Sequence, residues 1–155
     1  MKRRAFSLIE AVTSVLMLAI AVPPMLGFVR IAGAERADAV TVARAVALGT
    51  LVLESALADA SSPHGPLSYD AFENPMTYLY DPASGLAARL AALTEPYTRA
   101  GLSWTLDVGQ PVGPSCVLEA DPARNVFRVL TVRVSCPSAR GDRFEMPLSV
   151  MVGDM

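Results

Sequence analysis

Histidine occurs once in these 155 residues, lysine once and cysteine twice. The single histidine, His64, excludes a histidine-rich metal site. It lies in the turn-forming stretch SSPHGP, where a histidine is ordinarily only solvated. No G-x-S-x-G, no phosphate-binding glycine loop and no C-x-x-C is present. Without a recognisable nucleophile–base pair, the expectation is a protein that is not an enzyme and holds no cofactor. Asp107, Glu119 and Asp121 match no calcium-loop spacing, so no metal site is expected either. The formal net charge of -2 leaves no basic face of the kind that binds nucleic acid, and none is expected as a partner. The cations beyond Lys2 are all arginines, a bias from which no function follows.

What the chain has is apolar residues, 52% of the total with a mean hydropathy of +0.39. They are not evenly spread. Lys2, Arg3 and Arg4 open the sequence, and residues 11–29 are then apolar except for Thr13, Ser14, Pro23, Pro24 and Gly27. Such a run is close to the ~20 residues a helix needs to cross hydrocarbon. The basic cluster is expected to stay on the cytoplasmic side while the remainder crosses. A cleaved secretory signal is the rival, with AIAVPPM as a weak cleavage stretch. The apolar run continues past that stretch, and Glu10 is an acid that an ordinary signal has no reason to carry. An ionised carboxylate in a membrane helix costs roughly 2–3 kcal/mol at the centre and less near the edge. Glu10 is then either an interfacial acid that snorkels to water or a group that asks for a positive partner within the membrane.

The basic leader, then A-F-S-L-I-E, then the apolar helix resembles the start of type IV pilins and type II secretion pseudopilins. The resemblance implies that a prepilin peptidase cuts between Ala5 and Phe6 and methylates the new terminus at Phe6. Glu10 then becomes the fifth mature residue, the family's assembly glutamate, facing the terminal amine of a neighbouring subunit. Ala5 stands where the family usually has glycine, which puts the rate of processing in doubt. The implied partners are the peptidase, other pilin or pseudopilin subunits, an inner-membrane assembly platform and membrane lipid. The implied place is the bacterial inner membrane, crossed once, with the remainder of the chain periplasmic or otherwise extracytoplasmic. The early prolines and irregular head favour a minor subunit. Residues 1–5 would be the leader, 6–30 the membrane and assembly segment, 31–61 the outer half of one long spine helix, and 62–155 a globular head.

Periodicity alone supports that architecture. Residues 30–62 lack proline and are rich in good helix formers. Val42, Val46, Gly49, Leu53 and Leu57 form an apolar stripe at spacings of three and four. Pro23 and Pro24 each remove a backbone donor and clash with the preceding turn, so a kink or a locally unwound stretch is expected around residues 20–26. Ser61, Ser62, Pro63 and Gly65 end the helix. Residues 63–81 read as a loop tied down by Tyr69, Phe72, Tyr78 and Tyr80. A short helix follows over 85–99, carried by Leu86, Leu90 and Leu93 and broken near Pro96. Runs 102–108, 125–136 and 143–152 alternate as strands, the last two joined by a PSARGD hairpin. The fold class is therefore α+β, a long N-terminal helix on a three-stranded antiparallel meander, with Pro147 at an edge or bulge. Cys116 and Cys136 both fall in the part expected outside the cytoplasm, where disulfides persist. A bridge between them closes a loop of ~20 residues and stabilises by roughly 3 kcal/mol, the alternative being two unrelated thiols. Three functions follow: a filament subunit, a monomeric membrane-anchored binding module serving DNA uptake or substrate recruitment, and an enzyme on a stalk. Glu10 and the leader favour the first.

Overall fold

A computed structural model describes residues 8–62 and 67–153. Ala5, Phe6 and His64 lie outside the described residues, and Pro63 and Gly65 with them. Helix α1 spans Leu8–Ala60. It is followed by a 3-10 turn at Tyr69–Glu73, the short helix α2 (Pro75–Tyr80) and helix α3 (Leu86–Arg99). The strands are β1 (Ser103–Val108), β2 (Phe127–Pro137) and β3 (Arg143–Gly153). They form one antiparallel sheet in the order β1-β2-β3. The expected α+β class, long helix and meander are all present.

At 53 residues, α1 is about 80 Å long at 1.5 Å per residue. Fully buried positions begin only at Ala45, so the head packs tightly on the last third of the helix, its β2–β3 hairpin reaches down to Asp38, and the N-terminal part projects. The covered face is Ala45, Leu48, Gly49, Val52, Leu53, Ala56 and Asp59. This corrects the stripe read from the sequence, because Val42 and Val46 are exposed. The physical reason is distance. Small residues let the helix lie close to the sheet, and the true face is turned towards its alanines. A Cβ at Gly49 would stand 2.6 Å from Leu148 Cδ1 and 3.4 Å from Val134 Cγ2. Opposite lie Leu130, Val132, Val134 and Cys136, the even-numbered residues of β2 after Arg128, all fully buried. Each large apolar side chain buried here contributes on the order of 1.5–3 kcal/mol.

Three further expectations are corrected. Helix α1 stays helical through Pro23 and Pro24, so no stretch there is unwound. Each proline already holds a helical φ, and only two donors are lost while the turns on either side keep theirs. Residues 69–80 are not loop. Pro75 occupies the first turn of α2, where its missing N–H costs nothing. The turn after α2 is closed by Asp81, whose Oδ1 accepts from Ser84 N (2.8 Å), Ala83 N (2.9 Å) and Ser84 Oγ (3.0 Å). Those bonds hold the Asp81 carboxyl below its usual range. Helix α3 continues through Pro96 to Arg99, and its buried face is Leu86, Leu90 and Thr94, while Leu93 is exposed. Of the four aromatics, Phe72 and Tyr78 are buried and Tyr69 packs on the core, but Tyr80 is exposed. Phe72 meets Tyr78 edge-on with ring centres 4.8 Å apart.

The sheet register explains Pro147. Val112 and Phe127 exchange both backbone bonds, and Gly109 N donates to Val129 O at 2.9 Å. Odd-numbered residues of β2 thus turn their backbone polar groups towards the β1 side, and even-numbered ones towards β3. Arg133 and Pro147 are therefore opposite without sharing hydrogen bonds, and the donor that Pro147 lacks falls on the open edge of β3. Proline there costs the ladder nothing and interrupts an eleven-residue edge that would otherwise invite another strand.

Both cysteines are free, which overturns the expected disulfide. Cys136 is buried in the sheet beside the Phe144 end of the hairpin. Cys116 is exposed, with φ +59° and its Sγ 3.5 Å from Met151 Sδ. Met151 pairs with Val129, seven residues from Cys136 along β2, which is about 23 Å at ~3.3 Å per residue. A disulfide needs Cα atoms within about 7 Å. Burial pushes the Cys136 thiol pKa up, with Arg143 opposing the shift. In the native, unreduced protein one thiol, Cys116, should therefore label promptly and Cys136 only after unfolding. Reductant should leave the melting temperature unchanged. Recovery of a peptide pair linked through both cysteines would overturn this.

Candidate assembly site and the clamp behind it

The residues that set this chain apart lie on the projecting part of α1. Residues 8–26 are exposed throughout, among them Leu8, Ile9, Val12, Val15, Leu16, Met17, Leu18, Ile20, Met25 and Leu26. Among the described residues, α1 is the one helix long and apolar enough to cross a membrane, and none of that apolar stretch is buried by the head. From Leu8 to Val29 it measures ~33 Å, the thickness of a hydrocarbon core.

Polar groups in this stretch are turned inward on the helix itself. Thr13 Oγ1 donates to Ile9 O at 2.9 Å and lies 3.1 Å from Glu10 O. Ser14 Oγ donates to Glu10 O at 2.7 Å. The two hydroxyls that interrupt the apolar run therefore need no water, which suits them to hydrocarbon. Glu10 is the one carboxylate in residues 8–29, exposed on the helix surface. Gly27 and Gly33 have nothing within 4 Å of where a Cβ would stand, so this part of the helix is open to a neighbour.

The head is locked to the helix by two contacts that sequence reasoning missed. The first is a buried clamp at the end of α1. Arg89 of α3 binds Asp59 in a fork, Nη1 donating to Oδ1 at 2.9 Å and Nη2 to Oδ2. Tyr78 Oη donates to the same Oδ2 at 2.7 Å, and Arg89 Nε donates to Ser84 O at 3.1 Å. The signal was an acid in line with the buried face, since Val52, Ala56 and Asp59 follow at spacings of four and three. The second contact is Asp38, which caps the β2–β3 hairpin. Its Oδ1 accepts from Ala139 N at 2.6 Å and its Oδ2 from Ser138 Oγ at 3.4 Å.

Burial pushes the Tyr78 hydroxyl far above the ordinary tyrosine value of 10.0, its bond to Asp59 adding to the shift and Arg89 opposing it. The folded state keeps a proton that the unfolded chain releases above pH ~10, so stability is full below that pH and falls as pH rises beyond it. The urea midpoint should drop between pH 9.5 and 11. In Tyr78→Phe the drop should be shallower, by up to ~1.4 kcal/mol per pH unit. Equal slopes in the two proteins would remove Tyr78 from the alkaline transition.

The other candidates are not brought together. Asp107 lies on β1 opposite Thr131, Glu119 contacts Arg124 at 3.4 Å, and Asp121 caps Ala123 N at 3.1 Å. Among the described residues no group of histidines, cysteines and acids gathers as a metal site would require. In comparisons with protein-family models, curated proteins and solved structures, nothing matches this chain.

Proposed function

We propose that this chain is a minor filament subunit of the type IV pilin and pseudopilin kind, anchored in a membrane and assembled through residues 6–30. The observation that carries the reading is the projecting half of α1, a wholly exposed apolar helix of bilayer length with Glu10 near its start. A membrane anchor alone needs the apolar helix but no carboxylate. A carboxylate in that position is useful where a cationic group of another chain must be held at one register. The head, clamped to the far end of the same helix, is carried as cargo of that helix, outside the membrane. The prepilin-like leader supports the same reading from the sequence side.

Processing tests it. Co-expressed with a prepilin peptidase, the chain should lose Met1 to Ala5 and begin at Phe6, N-methylated. Intact-mass spectrometry reads both changes. An unprocessed chain, or one starting near Met25, would sink the pilin reading. A chain that is processed but never co-purifies with filament partners would leave the monomeric binding module as the better account.

A further inference from the structure

A groove of about 590 Å³ lies where the head comes nearest to the apolar half of α1. It is lined by Gly27, Arg30, Ile31 and Ala34 of the helix and by Ala139 and Arg140 of the β2–β3 hairpin. Asp38 fixes its upper wall, because the Ala139 N–H bound to its carboxylate belongs to the residue before Arg140. A second internal bond, Arg140 N to Ser138 Oγ at 3.2 Å, and Gly141 at φ +94° shape the tip. The hairpin thus brings a second arginine down to the level of Arg30, the first charge after the apolar run. Among the described residues neither guanidinium makes an ion pair or hydrogen bond, and no acid lines the groove. Asp38, one turn further on, is occupied by the hairpin backbone.

We propose that this groove binds the phosphate of an anionic lipid headgroup in the outer leaflet, a proposal that rests on residues 8–29 lying in the bilayer. Two arginines lining one opening suit a phosphodiester, which can accept from both guanidinium forks at once. The rest of the lining is apolar, and it continues without a break into the membrane helix. A free phosphate has no use for that surface, whereas the glycerol and first methylenes of a lipid cover it. The bound lipid would set the depth and tilt of the helix, because one arginine comes from α1 and the other from the head.

The full chain, extracted into neutral detergent, can be offered equal amounts of phosphatidylglycerol and phosphatidylcholine and read by native mass spectrometry. The wild type should retain phosphatidylglycerol preferentially. Arg30→Gln and Arg140→Gln should each lower that retention by about five-fold. Arg36→Gln, outside the groove, should not. Inorganic phosphate in the millimolar range should fail to displace the lipid; complete displacement would assign the groove to free phosphate and overturn the proposal. Carbonate extraction of membranes separates the two claims. A chain that washes off has no bilayer helix, and both readings fall. A chain that stays integral but whose lipid preference ignores Arg140→Gln keeps its membrane helix and loses the headgroup site. Loss of filament partners without loss of lipid in the same variants would mark the groove as a protein interface and overturn the lipid assignment.

Discussion

Glu10→Gln is expected, on the filament reading proposed above, to yield a mature, membrane-inserted protein that no longer enters its filament. The substitution keeps the shape of the side chain and removes its charge. Insertion should not suffer, because an amide is cheaper than a carboxylate in hydrocarbon. Cleavage should continue if the peptidase reads the junction of Ala5 and Phe6. Assembly should suffer because the amine of the incoming subunit would enter the bilayer without its counter-charge. Leaving one member of a buried pair alone costs about 3–5 kcal/mol, on the order of a hundred-fold or more in incorporation. Thr13 and Ser14 satisfy themselves on the helix backbone, so neither can replace the lost charge. Co-purification of the variant with its filament partners, measured against total mature protein in the membrane, is the readout. Normal incorporation would remove Glu10 from any registering role.

The second large effect is on the head. Arg89→Met should lower its stability by about 3–5 kcal/mol, since Asp59 is left buried with only the Tyr78 hydroxyl to hold its charge. Against the 5–15 kcal/mol that usually separates folded from unfolded, this is a large share. The melting temperature of the head should fall by more than about 10 °C. Asp59→Asn should cost less. The Arg89 side chain is 30% exposed against 8% for Asp59, so the arginine can turn to water while the carboxylate cannot. Replacing both at once by apolar residues, Asp59→Leu with Arg89→Met, should recover much of the loss, because no charge is then stranded. Urea unfolding of the three variants measures the three losses. A smaller loss for Arg89→Met than for Asp59→Asn would contradict the asymmetry of burial on which the argument stands.

The variants also separate two parts of the molecule. Glu10 lies far from the head, about 53 Å below the first buried residue, Ala45, at 1.5 Å per residue. Its change should leave the urea midpoint of the head untouched. The clamp variants, in turn, should leave processing and membrane insertion as they were.

Much of the architecture was legible because it is written in local, periodic signals. An apolar run of bilayer length, a helical repeat over residues 30–60, and the alternation of β2 each depend only on neighbours along the chain. The even parity of Leu130, Val132 and Val134 could be read directly, and the structure buries those residues. The glutamate in the apolar run, with the basic cluster before it, likewise required no tertiary information to single out.

What the sequence by itself could not decide was which groups meet across the fold. The buried face of α1 is set by how closely a helix can approach a sheet, and alanine and Gly49 permit a contact that Val42 and Val46 do not. The Asp59–Arg89–Tyr78 clamp joins residues 30 and 19 positions from the aspartate, and Asp38 reaches a hairpin 101 residues on. No period connects such partners. The disulfide expectation failed for the same reason. Two cysteines 20 positions apart look close in sequence, but the sheet register carries them to opposite ends of β2. Local chemistry determines the elements of this protein. Distances that exist only after folding determine which polar groups are satisfied, which thiols stay apart, and where the head's arginine stands beside the helix.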